Sequence, residues 1–177
     1  EFVDDAIGTI ANSVTRMRRL MEQLSSSSAQ PKTQTVDVAE VLTGAVKRAE
    51  LRSPKPEVRL NGEDLKVRAD PERLIMITEH LIRNAQDATD DNGKIEVSAS
   101  AVGDGVAISI SDTGCGMTPE FIRERLFRPF DSTKGSESMG IGAYQAREYV
   151  RQLGGLFEVT STVGKGTRFD IRLPVAS

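Results

Sequence analysis

The chain has 177 residues, a length that suits one domain of about 140 residues plus an appendage. Charged residues make up 28% and hydrophobic residues 38%, an ordinary globular balance, and the formal net charge of -3 argues against the basic footprint of a nucleic-acid binder. The single cysteine excludes an internal disulfide framework, and no run of about 18 apolar residues is present to cross a bilayer. The chain opens on Glu1 rather than Met, so it reads as a piece of a longer protein.

Residues 2–24 carry Phe2, Ala6, Ile10, Val14, Met17, Leu20, Met21 and Leu24 at spacings of three and four, which predicts a helix with one apolar stripe. A lone stripe must bury itself outside its own segment. The segment therefore reads as a remnant of a bundle or coiled coil, with docking on its own domain as the alternative. Arg16, Arg18 and Arg19 read as a solvated helix face. Ser25-Ser26-Ser27-Ser28 followed by Ala29-Gln30-Pro31 breaks the periodicity and marks a boundary: helix segment 1–27, linker 28–35, domain 36–177. Asp37 with Glu40 three residues on forms a capping-box pattern, opening a helix of about 38–50 that Ser53-Pro54-Lys55-Pro56 ends.

Short strands follow near 57–60 and 65–69. Asp70-Pro71 starts a helix that runs to about Ala88, with Leu74, Ile77, Leu81, Ile82, Ala85 and Ala88 facing inward. Two alternating segments, 94–101 and 105–111, predict a hairpin. Pro119 begins a short helix to about Leu126; a loop to about Ser138 leads into a helix ending at Leu153, where Gly154-Gly155 stops it. Strands at 156–162 and 166–173 close the chain around Gly164-Lys165-Gly166. Strands are too often sequence neighbours for a doubly wound parallel sheet. The pattern predicts an α+β sandwich, with helices on one face of a mixed sheet.

On the 71–88 helix, His80, Asn84 and Asp87 stand at i, i+4 and i+7, opposite the apolar stripe. An uncharged amide oxygen suits a hydrated magnesium that is held mainly by waters and phosphates; a solvated polar face is the competing reading. The alternation Val106, Ile108, Ile110 runs into Asp112, placing a carboxylate at a strand end where it can accept from an exocyclic amine such as that of adenine. Gly114 and Gly116 permit close backbone approach, though an ordinary Asp-Thr-Gly turn explains them equally well. Cys115 reads as packing. Between Phe127 and Met139 lies a stretch of small and polar residues leading into Gly140-Ile141-Gly142 at a helix start, where exposed amides favour phosphate and Lys134 adds a charge. This stretch is expected to be a lid over nucleotide. His80, the only histidine, is a poor candidate for a phosphate acceptor.

Asn84-Ala85-x-Asp87-Ala88, Asp112-x-Gly114-x-Gly116, Phe127-x-Pro129-Phe130-x-x-Thr133-Lys134, Gly140-x-Gly142 and Gly164-x-Gly166-Thr167 occur in one order. This ordered set resembles the boxes of the sensor histidine kinases of two-component systems, whose ATP-binding domain (the Bergerat fold) is shared with type II topoisomerase subunits, heat-shock chaperones and mismatch-repair proteins. The similarity covers about residues 36–174 and is strongest to the nitrogen-sensor-like branch. Residues 2–24 resemble the second helix of the dimerisation and phosphotransfer hairpin. The resemblance implies a two-layer α/β sandwich binding ATP or ADP with Mg2+. It makes Asn84 the Mg2+ ligand and Asn84 with Lys134 the catalytic pair. It assigns nucleotide contacts to Asp87, Asp112, Gly114, Gly116, Met117, Lys134, Gly140, Ile141, Gly142 and Thr167.

It further implies a cytoplasmic location for this part of a parent that can be membrane-anchored. Expected partners are the protein's own hairpin, a second copy and a response regulator, with no contact to nucleic acid or membrane. His80 stands where the family usually has asparagine, and Ser138 where it usually has glycine. The first hairpin helix, with its acceptor histidine and adjacent acid, is not among these residues, so ATP binding without autophosphorylation is expected. A regulatory nucleotide-binding module and an ATPase of the topoisomerase or chaperone kind are the alternatives.

Overall fold

The computed structural model describes residues 32–129 and 142–176. The expectations for the helix at 2–24, the first half of the linker, the lid stretch, Lys134, Gly140 and Ile141 lie outside the described residues. Thr33–Ser177 pack as one unit.

The first strand, β1 (Gln34–Asp37), pairs antiparallel with β3 (Lys66–Ala69) in register Val36↔Val67, and was not foreseen. Its last residue, Asp37, does a second job: the carboxylate accepts from the Ala39 amide at 2.8 Å and caps α1 (Val38–Ala49), as the capping-box reading predicted. β2 (Pro56–Asn61) follows α1. Asp70 then caps α2 (Pro71–Ala88), accepting from Arg73 N at 3.1 Å with Pro71 in the first turn, where a missing N–H costs nothing. Leu74, Ile77, Leu81, Ile82 and Ala85 form its buried face.

β4 (Ile95–Val102) and β5 (Gly105–Asp112) make the predicted hairpin, in register Val97↔Ile110. Thr118 caps the short α3 (Pro119–Glu124); α4 (Gly142–Gln152), β6 (Leu156–Thr162) and β7 (Gly166–Pro174) complete the chain. The main sheet runs β2-β4-β5-β7-β6, parallel only between β2 and β4. It is the mixed α+β sandwich expected.

Period-two alternation explains the layering. Ile95, Val97 and Ala99, then Val106, Ile108 and Ile110, then Phe169, Ile171 and Leu173 join one core with the inner faces of α1, α2 and α4. The intervening residues line the other face, where Ser109 and Arg168 both hydrogen-bond Asp170. Burial, the largest single influence, works against ionisation of Asp170, but the two hydrogen bonds together with the charges of Arg168 and Arg172 outweigh it and hold the carboxyl below its ordinary range.

Tyr149 sets the spacing between the helices. Its hydroxyl accepts from Asp70 N at 2.8 Å and its ring lies under the Arg73 guanidinium, 4.3 Å from the centroid. Gly142, at the other end of α4, lies against His80. Helix α4 therefore runs antiparallel along α2, with its N-terminus at the middle of that helix.

Candidate functional site

One edge of α2 organises the site. His80, Asn84 and Ala88 follow one another at i, i+4 and i+8, so each step is about 6 Å along the axis with a turn of about 40°. Gly142, which opens α4, meets the first of these residues. The turn after β5 meets the last: Cys115 N donates to the Ala88 carbonyl at 2.9 Å, and a Cβ on Gly114 would collide with that same oxygen. Asn84, half-buried, thus stands between the N-terminus of α4 and the Asp112–Gly116 turn.

Asp112 is buried, with 6% of its surface exposed. One carboxylate oxygen accepts from Gly114 N at 2.8 Å and from Thr167 N at 3.2 Å. That single oxygen holds the turn to the start of β7 through charge-assisted bonds. Thr113 fixes the other side, its N donating to Lys94 O at 3.1 Å and its hydroxyl accepting from Lys94 N at 2.9 Å. Gly116 has φ +67°, and a Cβ there would run into the Thr162 carbonyl. The following residue, Met117, is half-buried against the core, and its amide donates to the Ser161 hydroxyl at 2.8 Å. Ser161 in turn lies 2.9 Å from the Thr167 hydroxyl. The turn, the β6–β7 hairpin and the end of α2 are thereby hydrogen-bonded to one another.

Asn84, Asp112, Gly114, Gly116, Met117, Gly142 and Thr167 are thereby gathered at one end of the sandwich. Asp87 points elsewhere: it is exposed and pairs with Arg52 at 3.0 Å, in the segment following α1. Sequence reasoning passed over Ser161 and Gln86. Each carried a signal, a polar residue at an apolar step of its pattern. Gln86 Nε2 lies 3.0 Å from Ala49 O, 3.0 Å from Arg52 O and 3.2 Å from Pro54 O, and ties the α1–β2 connection to the C-terminal turn of α2.

His80 is mostly buried, and burial, above all, pushes its pKa down; Glu79 opposes this and Arg83 adds to it. Its Nδ1 is buried with no hydrogen-bond partner. An orphaned imidazole nitrogen one turn from Asn84, with a buried carboxylate at the far end of the same edge, suits a ligand that is polar and cation-bearing at one end and amine-bearing at the other. A metal-bound adenine nucleotide has that form. Among the described residues no cluster of three His, Cys, Asp or Glu side chains forms a metal site, so a cation here would share its coordination between a few protein atoms and the ligand's own oxygens.

Fold and site together define a nucleotide-binding α/β sandwich. Residues 69–177, more than half of the chain, match the family described as histidine kinase-, DNA gyrase B- and HSP90-like ATPase, and the chain belongs to that family. Within it the likeness runs to the sensor histidine kinases. The sensor histidine kinase ZraS of Escherichia coli O157:H7 is 38% identical over 121 residues, covering 67% of this chain and 26% of that protein. The full-length ShkA structure in complex with AMPPNP superposes with a TM-score of 0.70 at 26% identity, over 85% of this chain and 32% of that one. Histidine kinase ThkA in complex with response regulator protein TrrA has a TM-score of 0.73 at 22% identity, over 99% of this chain and 52% of that one, which bears on the fold alone. The chain spans about a quarter of the length of the curated relative first named here. Among the described residues no helix is long and apolar enough to cross a membrane.

Proposed function

We propose that the chain binds ATP as the catalytic domain of a two-component sensor histidine kinase and donates the γ-phosphoryl group to a histidine outside these residues. The observation that supports this is the α2 edge, where Gly142 at the α4 N-terminus meets His80 and the turn built on the buried Asp112 meets Ala88, with Asn84 midway between them in the helix. Asp112 accepts a hydrogen bond from the adenine amine. Thr167 N and Gly114 N hold that carboxylate in place, and the family resemblance assigns Met117 and Ile141 to the base. Asn84 offers its amide oxygen to Mg2+, and the family resemblance assigns Lys134, Gly140 and Gly142 to phosphate. When bound, Mg2+ supplies neutralisation of the phosphate charge, on which phosphoryl transfer depends. Asp87, committed to Arg52, acts from outside the base pocket.

The acceptor is not His80, which is mostly buried on the nucleotide-binding helix itself. The acceptor helix, a second copy of the chain and a response regulator complete the working assembly. A water-activating glutamate, as an ATPase would need, is not offered by Glu79: it pairs with Arg83 at 2.8 Å and lies 4.0 Å from Arg48, turned toward α1. Calorimetric titration with ADP and Mg2+ tests the reading. Binding in the micromolar range is expected, weakened at least tenfold (about 1.4 kcal/mol) by Asp112→Asn. A flat titration with the wild-type chain rejects it.

A further inference from the structure

We infer that His80 is a ligand of the nucleotide-bound divalent cation, and that its imidazole turns the site's preference toward Mn2+ and related transition-metal ions over Mg2+. This rests on the nucleotide-binding reading above and adds a metal preference to it. Three observations converge. Nδ1 is buried and has no hydrogen-bond partner within the protein, which a buried ring nitrogen ordinarily has. The residue occupies the same α2 edge as Asn84, one turn before it, so both side chains serve the same space. Gly142 approaches the ring with no side chain of its own; a Cβ built there would lie 3.5 Å from His80 Cβ, 3.6 Å from Cγ and 3.9 Å from Nδ1. Among the described residues, the ring of His80 thus faces the start of α4, one turn from Asn84.

Burial keeps the imidazole neutral at neutral pH, which leaves one ring nitrogen with a lone pair. Its neighbours Glu79 and Arg83 are paired with each other rather than with the ring. A neutral imidazole is a preferred ligand for first-row transition metals, whereas Mg2+ favours hard oxygen donors in strict octahedral array. A site composed of one amide oxygen, one imidazole nitrogen and phosphate oxygens therefore binds Mn2+ more tightly than a site built from oxygen alone.

The single histidine makes the test specific. Protein grown with 15N-histidine is loaded with Mn2+ and ADP and studied by pulsed electron paramagnetic resonance. The expected result is a 15N hyperfine coupling typical of a directly bound imidazole. Titrations of ADP in Mn2+ and in Mg2+ give the second reading, with an advantage for Mn2+ of about tenfold in the wild type that shrinks severalfold in His80→Asn. Thermal unfolding of the variant checks that it is folded. Mn2+ and ADP bound with no 15N coupling would overturn the ligand role of His80 and leave nucleotide binding standing. No binding of ADP with either cation would overturn both, and the flat titration identifies that case.

Discussion

Asp112 carries two loads that substitution separates. One oxygen holds two backbone amides, from Gly114 at 2.8 Å and Thr167 at 3.2 Å, and the carboxylate as a whole is assigned to the adenine amine. In Asp112→Asn the carbonyl oxygen still accepts from both amides. The fold loses only the charge assistance, the difference between roughly 1.5–3 kcal/mol for a charged bond and about 1 kcal/mol for a neutral one. A cost of about 1–4 kcal/mol over the two bonds follows, equivalent to a drop in Tm of several degrees or more for a domain of this size. In Asp112→Ala both amides are buried without partners, at about 1–3 kcal/mol each, so the loss is clearly larger. Binding responds in the opposite proportion. The asparagine NH2 would face the adenine amine donor to donor, so Asp112→Asn already loses most of the ADP affinity. Guanine presents a carbonyl at the corresponding position, so the preference for ADP over GDP narrows in this variant. Thermal unfolding of the three proteins, with ADP and GDP titrations of wild type and Asp112→Asn, checks each step. Equal stability losses for the two variants, or an Asp112→Asn protein that binds ADP like the wild type, would refute the reasoning.

The glycines separate by what surrounds them. Gly114→Ala drives a methyl into the Ala88 carbonyl and Gly116→Ala combines a collision at Thr162 with φ +67°, so each costs about 1–3 kcal/mol or more in denaturant unfolding. Gly142→Ala meets only ordinary contact with His80, and its stability stays within about 1 kcal/mol of wild type or rises, since alanine favours helix. Gln86→Leu keeps the volume but removes the two N–H donors that three carbonyls share, and a loss of about 2–4 kcal/mol is expected by the same assay. Incubated with radiolabelled ATP, the 177 residues alone incorporate no acid-labile phosphate; strong incorporation would contradict the placement of the acceptor elsewhere.

The helices and their starts were legible because capping and periodicity are local. Asp37 and Asp70 are ordinary N-caps, and the stripe Leu74, Ile77, Leu81 has only one way to lie on a sheet. Strand β1 was missed because four residues with one buried side chain, Val36, make no alternation to detect; the strand is held by β3 and exists only through that pairing. The chemical identity of the site was readable from the order of its boxes, but its construction was not. Nothing in the spacing of Asp112 and Thr167 says that one oxygen of the first restrains the backbone of the second, since that depends on the antiparallel register of β5 and β7. The pairing of Asp87 with Arg52 likewise follows from the path of the segment after α1, which brings residues 35 positions apart to 3.0 Å. Local sequence carries no record of either.

The account stands or falls on one ligand occupying the α2 edge from its middle to its end. Amide NMR of the chain titrated with ADP and Mg2+ reads this directly. The account predicts that shifts gather at Gly114, Gly116, Met117 and Thr167 at the base end and at the Asn84 side-chain amide and Gly142 at the phosphate end. Saturable shifts confined to the opposite face of the sheet, around Ser109 and Arg168, would contradict it.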